Sequence, residues 1–443
     1  MKSSSTENHV RTQELDSIVG TAGICLWQDT EAFWQKRLET AVSPDTKIDS
    51  TVYPNTQEEL AAVIAWAGQN NYAVLPCGGG SKLDWGGLVK LDSNLRLMAV
   101  NTSHLNRLVE HAVGDLTVTA EAGMRFADLQ QVLAVAGQFL PIDPAYPQHA
   151  TLGGIIATAD TGSLRHRYRG VRDLLLGMTF VRSDGKIATA GGRVVKNVAG
   201  YDLMKLFTGA YGTLGVISQV TFRVYPLPES SGTVILTGEA AALTQATQIL
   251  LSSALTPTAV DLLSSDLVAK LGLGKGTGLI VRFQSIAESV KEQSARLVEV
   301  GEKLGLQANM CSENDEHQLW QTLPETIWNC AKNSAIICKI GIRPSESVKL
   351  FDEFPIQDAV IHAGSGLGIL RFDETVTAEM IRQIRRGCEA KGGFLTVLVA
   401  PLVLKQQLDV WGYTGSAIDL MRRIKQQFDP ENILSPHRFI SGI

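Results

Sequence analysis

Hydrophobic and polar positions follow two different periods along this chain, and the period changes several times. Leu60, Val63, Ile64 and Ala67 recur at helical spacing. They follow Thr56-Gln57-Glu58-Glu59, which reads as a capping box: a hydroxyl at the helix start and a carboxylate three residues on. Ala73-Val74-Leu75-Pro76 is a short buried strand that runs into Cys77-Gly78-Gly79-Gly80-Ser81-Lys82. Leu105–Val113 and Leu116–Ala122 pattern as strands of a hairpin joined at Gly114-Asp115. Met124–Ala136 reads as an amphipathic helix with Phe126, Leu129, Val132 and Leu133 on one face. Phe139–Pro144 is extended, because its prolines exclude helix.

The middle of the chain is punctuated by glycine, from Thr151-Leu152-Gly153-Gly154, before a short helix, to a strand over Gly215–Val224. Beyond Pro226 and Pro228 the rhythm changes. Gly232–Leu236, Leu279–Phe283, Ala335–Gly341 and Ala359–His362 pattern as strands, separated by helices over Ala240–Ser252, Ala287–Leu304, Ser345–Phe354 and Thr377–Ala390. That is the rhythm of βαβ units in an antiparallel, ferredoxin-like sheet. A last helix covers Gly415–Phe428, and no internal repeat is legible. The expected class is α+β. An N-terminal segment (1–48) precedes a two-lobed domain (49–228) and an antiparallel-sheet cap (229–405). A C-terminal helix and tail (406–443) pack back on the first domain.

With 443 residues there is chain for two or three domains. Net charge is -5, and no basic block points to nucleic acid or an anionic membrane. No apolar run approaches the roughly 20 residues that span a bilayer, and Met1–Gly20 has no apolar signal core. A cytoplasmic protein is expected, with peripheral membrane association only through a larger complex. The six cysteines, Cys25, Cys77, Cys311, Cys330, Cys338 and Cys388, form no C-x-x-C pair and no iron–sulfur run. They read as reduced thiols, and any redox centre here has no cluster on its own chain.

Two glycine-rich segments suit close approach of backbone N–H groups to a phosphate. They are Gly78-Gly79-Gly80-Ser81 after a strand, and Thr151-Leu152-Gly153-Gly154-Ile155-Ile156-Ala157. Neither has the spacing of a P-loop or of G-x-G-x-x-G, and Gly272–Gly278 and Gly364–Gly368 are also wrongly spaced. The order of segments carries more than either one alone. A strand and GGGS turn come first, then a hairpin ending Glu121-Ala122-Gly123. A helix, Pro144, T-L-G-G-x-x-A and Gly212-Thr213-Leu214-Gly215-Val216-Ile217 follow.

This order resembles the FAD-linked oxidases with the vanillyl-alcohol-oxidase (PCMH-type FAD-binding) fold, over Val52–Pro228 and more loosely Phe428–Phe439. Within them, Lys196-Asn197-Val198-Ala199-Gly200-Tyr201-Asp202-Leu203, Arg172–Gly177 and Gly191–Asn197 look most like the E subunits of glycolate oxidase (glycolate dehydrogenase). The resemblance implies non-covalent FAD. Gly78, Gly79, Gly80, Ser81 and Lys82 would cradle the pyrophosphate. Pro144 and Thr151, Leu152, Gly153, Gly154, Ala157 and Thr158 would line flavin and phosphates. Gly162 would lie close to the isoalloxazine, and Gly215, Val216 and Ile217 near the adenine or ribityl end. It also implies a small hydroxy-acid substrate, with a GlcD-like flavin subunit and a GlcF-like iron–sulfur subunit as partners. No histidine stands in the first loop, and Cys77 reads as a packed thiol.

The sequence departs from metal-dependent relatives, which resemble one another in an H-x-G-D-G-N-x-H stretch. Here His362-Ala363-Gly364-Ser365-Gly366-Leu367-Gly368-Ile369 keeps the first histidine, but Ser365 and Ile369 replace the acid and the second histidine. Isoleucine cannot ligate a metal. A later acid–histidine pair is also missing around Lys391-Gly392-Gly393, and only His437 lies further on. No metal site is expected, and His362 reads as vestigial or hydrogen-bonded. Arg165, His166, Arg167 and Arg169 have two readings: a clamp at the flavin edge, or solvated surface. Tyr201 as an acid–base residue and Trp27, Trp34, Trp66 and Trp85 as core or interface anchors complete the candidates. Catalytic residues stay unassigned. Three functions remain: a subunit oxidising glycolate to glyoxylate within a complex, a stand-alone FAD dehydrogenase or oxidase, and a structural subunit that kept the fold.

Overall fold

The computed structural model describes residues 13–92, 95–193, 200–328, 335–354 and 356–443. The expectations for Lys196, Asn197 and Cys330 lie outside these residues. The first lobe is a four-stranded sheet in the order β1-β2-β4-β3, built from β1 (Ile24–Leu26), β2 (Ile48–Val52), β3 (Tyr72–Cys77) and β4 (Arg96–Asn101). β2, β4 and β3 run parallel, and β1 closes one edge antiparallel. The helix Gln57–Gln69 crosses from β2 to β3 and buries Leu60, Val63, Ile64 and Ala67 completely. Only half of the expected capping box forms. Thr56 Oγ1 accepts the Glu59 N–H at 3.0 Å, while the Glu59 carboxylate accepts from Asn55 N at 2.7 Å instead of the cap's own N–H.

The second lobe is an antiparallel sheet in the order β5-β6-β10-β8-β9. Its strands are β5 (Leu108–Ala112), β6 (Thr117–Glu121), β8 (Leu175–Val181), β9 (Ile187–Gly191) and β10 (Val216–Arg223). A two-residue ladder pairs β7 (Gln138–Phe139) with β11 (Tyr225–Pro226) at its rim. The helix Phe126–Val135 packs Phe126, Leu129 and Leu133 on this sheet, but Val132 is exposed, so the buried stripe is narrower than the sequence suggests. The expectation that Thr151–Ala157 precedes a short helix needs correction. Leu152–Thr158 is itself the helix, with Thr151 Oγ1 accepting from Gly154 N.

The cap is one sheet of eight strands in the order β15-β12-β14-β13-β17-β18-β16-β19, every pairing antiparallel. Its strands are β12 (Ser230–Gly238), β13 (Ala259–Leu263), β14 (Thr277–Ser285), β15 (Gln307–Ser312), β16 (Ile336–Gly341), β17 (Asp358–His362), β18 (Leu367–Phe372) and β19 (Phe394–Val399). With the helices Ala240–Ser252 and Ala287–Lys303, β12–β15 form one βαββαβ unit. With Ser347–Glu353 and Ala378–Ala390, β16–β19 form a second. Each has the ferredoxin-like strand order, and the units join edge to edge where β13 pairs with β17. The topology therefore repeats although the sequence shows no repeat, because a hydrophobic pattern of sheet plus helices can be met by many sequences. The tail folds back on the first lobe. Leu434 bridges Val74 of β3, and Lys425 Nζ reaches Thr213 O, Asp429 Oδ2 and Leu434 O at 3.0, 2.6 and 2.8 Å.

Candidate functional site

A cleft opens between the two lobes where β3 ends. The turn after β3 supplies one wall: Gly78, Gly79, Gly80, Ser81 and Lys82. The helix Leu152–Thr158 supplies a second, through Thr151, Gly153, Gly154, Ala157 and Thr158. Gly215, Val216 and Ile217, at the start of β10, close the third. The glycines are needed here for space. A Cβ on Gly78 would lie 2.3 Å from Thr151 Oγ1, and one on Gly79 only 1.9 Å from His149 O. At Gly215 a Cβ would meet Val181 O at 2.9 Å. Leu152 points the other way, fully buried in the lobe's core. Pro144 and Gly162 stand outside this lining, beside Asp143; a Cβ on Gly162 would lie 2.5 Å from that carboxyl. Thr102, Phe207, Ala210, Tyr211, Gly212 and Arg438 also line the cleft, and sequence reasoning assigned none of them.

The cradle suits a dinucleotide with a pyrophosphate. Its walls are backbone from three separate segments, and a buried guanidinium, Arg438, sits among them. Cys77 is a poor nucleophile, because burial pushes its thiol up to about 12. Lys82 is buried and ion-paired with Asp160 at 2.8 Å; the same carboxylate oxygen accepts from Ala145 N at 2.9 Å.

A matching family description, "FAD binding domain", covers residues 48–191 of this chain. The chain carries an FAD binding domain. FAD is its cofactor. A second description, "FAD linked oxidases, C-terminal domain", covers residues 410–439, the tail that returns to β3. Among curated proteins the chain is 26% identical over 432 residues to a mitochondrial D-lactate dehydrogenase [cytochrome] of Arabidopsis thaliana, covering 88% of this chain and 73% of that one. It is 25% identical over 430 residues to the glycolate oxidase subunit GlcD of Bacillus subtilis, covering 89% of both. To the glycolate oxidase subunit GlcE of Escherichia coli it is 39% identical over 125 residues, 28% of this chain and 36% of that one. A 4-ethylphenol oxidase of Gulosibacter chungangensis shares the fold at TM-score 0.74 and 15% identity, covering 98% of this chain and 97% of that one.

A second polar centre lies where the FAD-binding lobes meet the cap. Asp261 on β13 and His362 on β17 are cross-strand partners at the seam of the two cap units, and both are buried. His362 Nδ1 lies 2.7 Å from Asp261 Oδ1, and Ser163 Oγ donates to Asp261 Oδ2. A carboxylate only accepts, so the Nδ1–H of His362 is the donor. His362 is thus hydrogen-bonded rather than vestigial. The signal for Asp261 was a strand that sequence reading missed. Among the described residues no group of three or more His, Cys, Asp or Glu could hold a metal ion. Ile369 packs instead in a hydrophobic cluster with Trp85 and Trp328, whose rings stack 5.1 Å apart.

Arg165 and His166 are half-buried, and a Cβ on Gly364 of the cap would meet His166 Nδ1 at 2.6 Å. Arg167 and Arg169 are exposed. Tyr201 is 91% exposed, on the surface rather than in the cleft. Trp66 and Trp85 are buried anchors; Trp27 and Trp34 are partly buried.

Burial raises the Asp143 carboxyl to about 7, opposed by His362 and by the Leu164 N–H. Its neutral form is therefore favoured by folding. Between about pH 4 and 7 the unfolded chain releases this proton while the folded one keeps it, so stability falls as pH rises and levels off above that range. Asp143→Asn is expected to flatten this slope in denaturant titrations from pH 4 to 8. An unchanged slope would show that Asp143 is ionised throughout.

Proposed function

We propose that this chain is the FAD-binding subunit of a glycolate-dehydrogenase-type complex, oxidising glycolate to glyoxylate beside a GlcD-like flavin subunit and a GlcF-like iron–sulfur subunit. The observation that supports this reading is the 39% identity to a GlcE subunit over 125 residues, 28% of this chain. Ile369 in a hydrophobic cluster, where a metal-ligating histidine would stand, supports it. In this reading the glycine turns, the helix Leu152–Thr158 and Gly215–Ile217 hold FAD non-covalently, with Cys77 packed and inert. Pro144 and Gly162 would flank its far end. When bound, FAD supplies the acceptor for the two electrons that leave C2 of a hydroxy acid. At the lobe–cap seam Trp85 stacks on Trp328, and Tyr146 packs beside it.

A second reading, a stand-alone hydroxy-acid dehydrogenase, draws on the similarity to D-lactate dehydrogenase along most of both chains. It also draws on the lobe–cap chemistry. Lys339 of β16 is half-buried, with its ammonium held below its usual value by burial and supported by Asp160. It would hold a carboxylate, and Nε2 of His362 would take the hydroxyl proton.

The two readings separate in a dye-linked assay of the purified, FAD-loaded chain with glycolate and D-lactate, alone and with its partners. The subunit reading expects negligible turnover alone, roughly a hundredfold or more below the assembled complex. Turnover by the chain alone near that of the complex, lost in His362→Ala, would establish the second reading.

A further inference from the structure

The tail does more than close the fold. Val74 N donates to Ile433 O at 2.7 Å and Ser435 N to Val74 O at 2.9 Å, so the tail is laced to the strand that leads into the glycine turn. Lys90 N holds Pro436 O at 3.1 Å. This pairing delivers Arg438 to the cleft, 4% exposed. One guanidinium nitrogen, Nη2, donates to Leu83 O at 2.9 Å. Nε is buried and has no hydrogen-bond partner. Among the described residues no carboxylate lies within ion-pair distance of this guanidinium. Asp84 is the acid whose field reaches it, and burial raises that carboxyl toward its neutral form.

An arginine cannot shed its proton to escape the interior, so a buried guanidinium without a counter-charge is costly. Arg438 shares the cleft with the backbone of Gly78–Ser81, a surface shaped for an anion at close range. A guanidinium fork matches phosphate oxygens two at a time. FAD brings one permanently charged group of this kind. We infer that Arg438 binds the FAD pyrophosphate, opposite the Gly78–Ser81 turn, and that the C-terminal tail is therefore part of the cofactor site. The inference rests on reading this cleft as the FAD cleft.

The test is Arg438→Met, which keeps the apolar length and removes the charge. FAD, ADP and riboflavin are titrated into the flavin-free full chain. FAD and ADP are expected to bind about 10–100-fold more weakly, as for loss of a hydrogen-bonded charge, and riboflavin is expected to be unaffected. Arg438→Lys should fall between, because a point charge remains without the fork, and it stands in for the methionine variant should that one not fold. Amide exchange of residues 433–439 should slow on FAD addition in wild type and change less in the variant. FAD affinity within threefold of wild type in both variants overturns the inference. An equal loss for riboflavin also overturns it, placing Arg438 at the isoalloxazine. Gly154→Glu leaves Arg438 untouched and serves as the reference. If it retains FAD, the cleft itself is misassigned; if it loses FAD while Arg438→Met does not, only the arginine's role falls.

Discussion

Gly154→Glu is expected to lose FAD at any practical concentration while melting close to wild type. Gly154 lines the cleft on the helix Leu152–Thr158, and a Cβ there meets only Thr151 Oγ1, at 3.2 Å. A side chain therefore fits once the Thr151 hydroxyl gives by a few tenths of an ångström. What lacks room is the cofactor, because a carboxylate would occupy the space of a pyrophosphate and repel it inside a region of low dielectric. A loss of at least about 100-fold in affinity corresponds to under 3 kcal/mol, a modest demand for a buried like-charge contact. Gly79→Glu and Gly153→Glu should also lose FAD, but for mixed reasons. At Gly79 the Cβ would overlap His149 O, and at Gly153 it would press on Ala122 at 3.0 Å. Yellow protein with full flavin content after gel filtration of Gly154→Glu would remove this cleft from consideration.

Lys425→Met should destabilise the whole chain by about 3–5 kcal/mol, the range for stranding one member of a buried ion pair. Lys425 and Asp429 are both buried, and the ammonium donates to the carboxylate and to two carbonyls from separate segments. Asp429 in turn accepts from Ile433 N at 3.1 Å and Leu434 N at 2.8 Å, which shapes the turn before the bridge to β3. Methionine fills the volume but leaves a charge and two carbonyls unpaired. Lys425→Met/Asp429→Asn should cost less than the sum of the single changes, because no charge is stranded, although the amide oxygen can accept only one of the two backbone N–H groups. Denaturant midpoints of the four proteins give the coupling directly. A single-variant loss below about 1 kcal/mol, or strict additivity, would mean that water reaches this network.

The sequence by itself determined the local elements whose causes are local. The helix after Thr56 follows from a capping hydroxyl and an apolar stripe, and the turn after β3 from three consecutive glycines; both lie where the residues predict. The cleft's three walls were legible for the same reason: each is a short glycine-bearing segment whose backbone shape is set within a few residues. The order of those segments then carried the resemblance to FAD-linked oxidases, which implies FAD. What only the tertiary structure decided depends on pairing between distant strands. Asp261 meets His362 because β13 and β17 pair in one register; a slip of one residue would turn one of them to the other face. The two βαββαβ units became visible through strand order, which no local pattern encodes. Arg438 reaches Leu83 across 355 positions of sequence because the tail bridges β3 at Val74 and Leu434. Register and long-range packing are properties of the whole sheet, so a residue's neighbours across it cannot be read from its neighbours along the chain.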